Sequence, residues 1–231
     1  MRKLMVSAAA VVAFTAMVAA AAGLFPNPNN WKILDRVTLP NGNVNFATRH
    51  PDANPSGGIS FPLLNEDQGH TSYLLANYNK DLTGMTITAD VGVTAIVGTT
   101  FVTRDVPPCT ATVGLEFQDT AAGTYDSNDY WWYQQRVSLS DLMTDTTTLV
   151  APLADRANWI NQSGRNALDT TVNWVEWQGD VVHMSPYDGF TKAMKNVKIV
   201  SLSFGGCGYA SSVAVKTGTA SFDLLSFSIA P

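Results

Sequence analysis

The stretch that decides the fold is "GMTITADVGVTAIV", residues 84–97, in which apolar and polar residues alternate. One side carries Met85, Ile87, Ala89, Val91, Val93 and Ala95, and the other carries Thr86, Thr88, Asp90 and Thr94. Successive side chains of a β-strand point to opposite faces, so a period of two predicts a strand with one buried face. Residues 110–118, "TATVGLEFQ", repeat the pattern with Phe117 on the apolar side and Glu116 on the polar side.

Short segments of the same kind recur along the chain and are separated by turn sequences. Further strands are predicted around residues 130–139, 197–204 and 221–229, and turn signals include "PNGN" at 40–43 and "FGGCG" at 204–208. Helical periodicity is weak, and it predicts only one turn at 140–143, capped by Ser140, and a short helix at 188–195. This pattern predicts an all-β fold: an antiparallel β-sandwich of jelly-roll type with short helical turns in its connections.

The start of the 231-residue chain has the features of an export signal. Arg2 and Lys3 precede an apolar stretch that ends in small residues at 20–23, which is typical of a cleaved secretory signal peptide. An uncleaved membrane anchor is the alternative, because the apolar run is nearly long enough to span a bilayer. We predict a signal peptide at 1–22, an irregular lead-in at 23–43 rich in Pro and Asn, and a single β-sandwich domain at 44–231.

The charge of the chain limits its partners. The formal net charge is −5, and loss of Arg2 and Lys3 with the signal peptide would make it more negative by two. No cluster of Lys and Arg remains elsewhere, so nucleic acid and, after cleavage, membrane surfaces are not expected partners. The predicted location is secreted, either extracellular or periplasmic, and the alanine-rich signal favours a bacterial source.

The two cysteines, Cys109 and Cys207, follow the signal sequence. An even number of cysteines in an oxidising compartment predicts a disulfide between them, and two buried free thiols are the alternative. Neither cysteine belongs to a C-x-x-C motif or a Cys/His array, so the sequence does not indicate zinc or redox chemistry.

The last third of the chain resembles a known fold family. The segments "NVKIVSLSFGG" (196–206) and "SSVAVKTGTASFDLLSFSI" (211–229) are similar to the closing strands of galactose-binding-like and carbohydrate-binding-module-like jelly rolls of exported bacterial proteins. The pattern residues of the final strand are Phe222, Leu224, Phe227 and Ile229, and a bulge is expected between Leu224 and Leu225, where alternation breaks. The resemblance covers roughly residues 130–230. It implies a sandwich fold and a tendency to bind sugars, and it transfers no catalytic residue.

The aromatic stretch "YDSNDYWWY", residues 125–133, supplies the candidate ligand site. Strand parity places Trp131, Tyr133, Gln135, Val137 and Leu139 on a core side, and Tyr130, Trp132, Gln134 and Arg136 on the other side. Aromatic rings beside amide and guanidinium donors suit a sugar, whose C–H face stacks on rings while its hydroxyls form hydrogen bonds. We therefore predict a glycan site at Tyr130, Trp132, Gln134 and Arg136, supported by Trp177. The alternative is that these aromatic side chains pack in the core and between the sheets.

The loop before that strand offers oxygen ligands for a cation. Asp126, Asn128 and Asp129 could hold a structural calcium ion, and no other cofactor is predicted. The D-x-D-x-D-G spacing is absent, and Asp and Asn also form ordinary turns, which is the alternative explanation.

Three functions of different classes follow from the sequence. The leading hypothesis is a secreted, non-catalytic carbohydrate-binding or adhesion-like β-sandwich whose partner is a glycan or cell-surface polysaccharide. The second is a structural or surface-matrix protein with all aromatics in its core. The third is a jelly-roll glycan hydrolase or lyase, for which Glu116 and Glu176 are the candidate carboxylates. We expect a binding protein rather than an enzyme, and exposure of Tyr130 and Trp132 would favour the first hypothesis over the second.

Overall fold

A computed structural model describes residues 26–39, 41–119, 127–172, 184–209 and 211–231. The strands are β1 (Trp31–Thr38), β2 (Val44–Arg49), β3 (Asp52–Ala53), β4 (Ile59–Pro62), β5 (His70–Lys80), β6 (Thr86–Ala95), β7 (Thr100–Thr103), β8 (Thr112–Gln118), β9 (Tyr130–Ser138), β10 (Thr147–Pro152), β11 (Trp159–Asn161), β12 (Val197–Gly205), β13 (Val213–Thr217) and β14 (Ala220–Ala230). These strands account for the alternating segments of the sequence.

The strands form two sheets that pack face to face. The larger sheet has the order β11-β9-β8-β12-β5-β1-β2, and β13 joins β7 to it through β5. The smaller sheet has the order β10-β6-β14-β4-β3. All the strand pairs are antiparallel, so the predicted antiparallel jelly-roll sandwich is confirmed. The bulge expected in the last strand is also present, because the register of β14 against β6 shifts between Leu224 and Ser226.

Aromatic side chains from both sheets fill the space between them. Trp31 of the larger sheet meets Phe227 of the smaller one, with ring centroids 5.0 Å apart. Phe204 of the larger sheet meets Phe222 of the smaller one at 5.0 Å. The inward positions of the strands are therefore used for the core, which leaves the outer faces of both sheets for other roles.

The predicted irregular lead-in is wrong for residues 31–38, which form β1 between β2 and β5 of the larger sheet. Trp31 and Ile33 are fully buried. The Pro- and Asn-rich residues precede a short alternating segment, "WKILDRV", in which Trp31 packs against Phe227 of the smaller sheet.

The connections contain little helix. The helix α1 (Pro186–Met194) starts two residues before the predicted helix, because Ser185 accepts a hydrogen bond from the Asp188 amide and Pro186 occupies the first turn. Asp141–Met143 forms the predicted single turn, but the predicted cap is wrong, since the Ser140 side chain makes no capping hydrogen bond. The other described 3₁₀ turns are Pro28–Asn30, Ser127–Asp129 and Arg156–Asn158. Across the described parts of the chain, no helix has the length and apolar character needed to cross a bilayer.

The predicted disulfide joins Cys109 and Cys207. It connects the segment that follows β7 to the segment that follows β12, and these residues are 98 apart in the sequence. The link therefore ties the peripheral β7–β13 ladder to a central strand of the larger sheet.

Candidate functional site

The outer face of the larger sheet carries three rows of side chains that cross the strands. Strand register sets the members of each row: Arg136, Gly114, Ser203, Tyr73 and Leu34; then Trp132, Glu116, Ser201, Leu75 and Lys32; then Tyr130, Gln118, Ile199 and Asn77. The first two rows run over β9, β8, β12, β5 and β1. Four strand spacings of about 4.8 Å make each of them about 19 Å long. We call this surface the outer face.

One end of the outer face holds a set of three aromatic side chains, which we call the ring row. Tyr130 and Trp132 stack with ring centroids 6.1 Å apart and planes 14° apart. Tyr209, from the loop after β12, lies 6.3 Å from Trp132. Tyr130 and Tyr209 are half-buried, whereas Trp132 is only 3% exposed. The ring row thus meets solvent through its two tyrosines and not through Trp132.

Buried polar side chains lie beside the ring row at the centre of the outer face. Glu116, the cross-strand partner of Trp132, is fully buried. It accepts hydrogen bonds from Ser201 Oγ at 2.5 Å and from Gln118 Nε2 at 3.0 Å. Burial raises the pKa of Glu116 to about 8, although these two hydrogen bonds and the charge of Arg136 oppose the rise. At neutral pH the folded protein therefore holds Glu116 mainly as a neutral acid.

Arg136 ties three strands of this face together. Its Nε donates to Thr112 Oγ1 at 2.9 Å on β8, and its Nη1 donates to Ser203 Oγ at 2.9 Å on β12. Its guanidinium also lies 5.5 Å from the Tyr209 ring centroid. Burial lowers the pKa of Arg136 to about 10, so it stays charged at neutral pH. These contacts occupy the guanidinium, which supports the site instead of offering free donors.

Gly114 provides the space that Arg136 needs. A Cβ at Gly114 would lie 2.9 Å from Arg136 Cγ and 3.1 Å from Arg136 Nη1. The glycine interrupts the apolar–polar alternation of β8 for this reason, because any side chain there would push Arg136 off the sheet.

A bulge in β9 changes which side chains face the core. The register against β8 shifts between Gly114 and Glu116, where β9 contains extra residues. Trp131, Tyr133 and Leu139 are buried as predicted, but Gln135 is exposed, so its predicted place in the core is wrong. Gln134 is also exposed. This bulge adds two residues to β9 without adding partners on β8, so period-two parity fails within the bulge, at Gln135, and is retained on both sides of it.

The Trp132 side chain is buried, yet its indole N–H forms no hydrogen bond. A buried donor without a partner costs about 1–3 kcal/mol, and such groups are rare in folded proteins. The burial of this ring does not match the exposure that the glycan hypothesis expected.

A depression of about 470 Å³ lies at the other end of the same outer face. Its lining combines three amides and a cation with two aliphatic side chains: Asn29, Asn30, Asn77, Lys32, Leu75 and Ile199. Leu75 and Lys32 continue the row of Trp132, and Ile199 and Asn77 continue the row of Tyr130. The outer face therefore joins a ring row to a polar depression with an apolar base.

The smaller sheet has a depression of its own, of about 500 Å³, around Asp223 and Thr94. Asp223 accepts hydrogen bonds from Asn54 at 3.0 Å and from Thr94 at 2.9 Å. No aromatic side chain lines this depression, and no ring row adjoins it on the described strands. For this reason the larger sheet is the candidate site.

Some predicted site residues lie outside the described residues, namely Trp177 and Asp126, as does Glu176. Of the predicted calcium ligands, Asn128 and Asp129 lie in the buried turn Ser127–Asp129. Asn128 Oδ1 accepts a hydrogen bond from Asn161 Nδ2 at 2.9 Å, so this amide joins the turn to β11. Within the described ranges, no group of three or more His, Cys, Asp or Glu side chains could hold a metal ion. The calcium site stays a prediction.

Sequence reasoning missed Tyr209, Ser201, Asn77 and the depression. The alternation of "VSLSF" at 200–204 could have predicted the depression. Two small serine side chains on the outward side of a strand leave a shallow region on that face. Tyr209 gave no signal of this kind, since it belongs to a glycine-rich loop that only the fold brings to Trp132.

Comparisons with known proteins do not identify a family for this chain. No family model matches the chain, and no curated protein matches it by sequence. Among solved structures, one match is a "xylan-binding module CBM15", with 13% sequence identity and a TM-score of 0.37 over 88% of this chain and 97% of that chain. At this TM-score the two chains superpose too poorly for that protein to indicate the fold or the ligand of this one.

Proposed function

We propose that this protein is a secreted, non-catalytic carbohydrate-binding β-sandwich that binds a glycan on the outer face of its larger sheet. The observation that carries the proposal is the ring row of Tyr130, Trp132 and Tyr209 beside a buried row of neutral polar groups on an outward-facing surface. Polar side chains on an outer face are normally solvated, and burying them costs free energy. A role in ligand binding would explain why polar side chains are buried on this outer face.

The chemistry of the outer face suits a sugar. Half-buried Tyr130 and Tyr209 offer ring surface for C–H groups, and Gln134 offers an exposed amide on the same strand as Tyr130. The depression offers the amides of Asn29, Asn30 and Asn77 for hydroxyl groups above the aliphatic Leu75 and Ile199. The predicted signal peptide and the disulfide support export of the protein to an oxidising compartment.

The burial of Trp132 favours a second candidate, a structural surface protein whose aromatic side chains serve packing alone. Binding assays on the two ends of the outer face separate these candidates. We would measure retardation of the wild-type protein in native gels that contain soluble neutral or acidic polysaccharides, and repeat it with Tyr209→Ala and Asn77→Ala. Tyr187→Ala, on the exposed side of α1, is the matched aromatic control.

We expect one polysaccharide to retard the wild type and the control, and each site variant to lose about tenfold in affinity, as for the loss of one stacked ring or a comparable polar contact. If no polysaccharide retards the wild type and the site variants change only stability, the structural candidate replaces the binding one. Release of reducing ends by the wild type, abolished in Glu116→Gln, would instead identify an enzyme.

A further inference from the structure

Three basic side chains meet at one end of the outer face. Arg36 on β1 and His70 on β5 are cross-strand partners. Arg104 directly follows β7, which reaches β5 through β13 in the row Thr103, Val213 and Thr71. Thr71 and Thr103 are buried, whereas the adjacent His70 is half-buried and Arg104 is exposed. Three chain segments distant in sequence thus contribute one basic group each.

The electrostatics of these groups show that they act on one another. Burial and the charge of Arg104 lower the pKa of Arg36. Burial and Arg104 also lower the pKa of His70, and Arg36 adds to this effect while Glu66 opposes it. Like charges kept close together cost free energy unless an opposite charge is present.

No carboxylate in the described parts of the chain forms an ion pair with Arg36 or Arg104. The two ion pairs found there join Arg49 to Asp35 and Arg165 to Asp169. Asp105, which follows Arg104 in the sequence, accepts hydrogen bonds from the Cys207 and Gly208 amides and from Ser211 Oγ.

Two acids remain near the three basic groups, and neither neutralises both arginines. Asp35 is held by Arg49 and Thr71. Glu66 is exposed, and its charge acts on His70. The two arginines therefore keep an excess of positive charge in a protein that is acidic overall.

An independent observation at Arg36 points to a missing partner. Its Nε is buried and has no hydrogen-bond partner. The Phe46 ring lies 5.9 Å from the guanidinium carbon and is itself 54% exposed. A partly buried guanidinium that is flanked by an aromatic ring and short of an acceptor is suited to bidentate binding of a planar or tetrahedral anion.

We propose that Arg36, His70 and Arg104 form a binding site for a carboxylate or sulfate group carried by an acidic glycan. The site lies on the outer face, next to the row of Leu34 and Tyr73. It rests on the proposed function for the sugar part of the ligand, but anion binding itself is separate from it. The acidic substituent provides the acceptor that Arg36 lacks and the negative charge that the arginines lack.

The test is an NMR titration of the full-length mature protein at constant ionic strength, in which the Nε–H signals of Arg36 and Arg104 are followed. The probes are glucuronate, glucose 6-sulfate and glucose, which separate a carboxylate, a sulfate ester and the neutral sugar. Arg104→Gln is the site variant, because Arg104 is exposed and its loss leaves the core intact. Lys192→Gln, an exposed cation on α1, is the matched control.

We expect at least one of the two anionic sugars to shift both signals to saturation, and glucose to shift neither. Arg104→Gln should weaken binding by about tenfold or more, as expected for one charge-assisted hydrogen bond, and Lys192→Gln by less than about twofold. Equal binding of glucose and the anionic sugars, no binding of either anion, or an unchanged affinity in Arg104→Gln would overturn the anion site.

The two proposals fail in different ways. Retardation by a neutral polysaccharide, together with no effect of either anionic sugar, would remove the anion site and leave the glycan site. Saturable binding of an anionic sugar, together with no retardation by any polysaccharide, would retain the anion site and remove the glycan proposal.

Discussion

Glu116 is a carboxyl group that the fold places on an outward side and then buries. Its two hydrogen bonds come from a serine 85 residues away in the sequence and from Gln118 on its own strand. Both donors are neutral, and the nearby charge of Arg136 does not offset the cost of burial. The acid is therefore protonated at neutral pH, and its proton is part of the folded structure.

The raised pKa of Glu116 makes stability depend on pH with a definite sign. In the unfolded chain the group titrates near its ordinary value of 4.5, and in the folded protein it titrates at about 8. Between pH 4.5 and about pH 8, folding is coupled to the uptake of a proton by Glu116. The contribution of the protonated Glu116 to stability is therefore fully present below pH 4.5 and declines as the pH rises to about 8. We predict that the wild type loses stability relative to Glu116→Gln across this window, by up to about 1.4 kcal/mol per pH unit.

Urea denaturation of both proteins from pH 4 to pH 9 checks this prediction. Other titrating groups contribute equally to the two profiles, so the difference between the free energies of unfolding isolates Glu116. Parallel profiles would show that Glu116 is ionised in the folded protein.

At the scale of elements, β9 shows how one strand serves two surfaces. Its bulge keeps Trp131 and Tyr133 in the core while Arg136 lies across β8 to reach β12. Gly114 on β8 is the matching adaptation, since the guanidinium occupies the space that a side chain would take. Arg136 and Gly114 therefore act as one unit that joins three strands.

We predict that Gly114→Ala destabilises the protein by about 1–3 kcal/mol through this clash. Arg136→Ala alone should cost a similar amount, because Thr112 and Ser203 lose their partner. The double variant should cost less than the sum, since the clash cannot occur without Arg136. Chemical denaturation of the three variants measures this coupling.

Gly92→Ala on β6 is the matched control, because a Cβ there meets only one Thr146 methyl, at 3.2 Å. It should cost less than Gly114→Ala. Additive effects of the Gly114 and Arg136 changes would contradict the proposed unit.

At the scale of the whole molecule, the disulfide reinforces a junction that Asp105 also makes through its hydrogen bonds to the Cys207 and Gly208 amides. The β7–β13 ladder meets the rest of the larger sheet through one pair, Val213 with Thr71. The Cys109–Cys207 link adds a covalent connection from this ladder to the end of β12. It also holds the loop that carries Tyr209, so the ring row depends on it in part.

Removal of the disulfide should therefore lower stability strongly. For cysteines 98 residues apart, the chain-entropy model gives a loss of about 4–5 kcal/mol in Cys109→Ser/Cys207→Ser. The measurement is the free energy of unfolding of wild type and variant, with and without reductant. Reductant should destabilise only the wild type. Equal free energies of unfolding of the wild type and the variant without reductant would contradict the prediction.

The sequence by itself determined the fold class, most strands, the disulfide and the bulge in β14. These features follow from local rules: alternation sets which side chains share a face, and turn residues set where strands end. It failed at β1, where two apolar anchors are too few to reveal a strand, and at Gln135, which lies within the bulge of β9.

Only the tertiary structure decided what happens on the outward sides of the strands. Alternation correctly places Trp132 and Glu116 away from the core, but it does not determine whether water reaches them, and both are buried. Burial there depends on side chains from other strands and loops, such as Ser201 and Tyr209. The period of a strand is a property of its own backbone, whereas the environment of an outward side chain is set by segments that meet only when the chain folds.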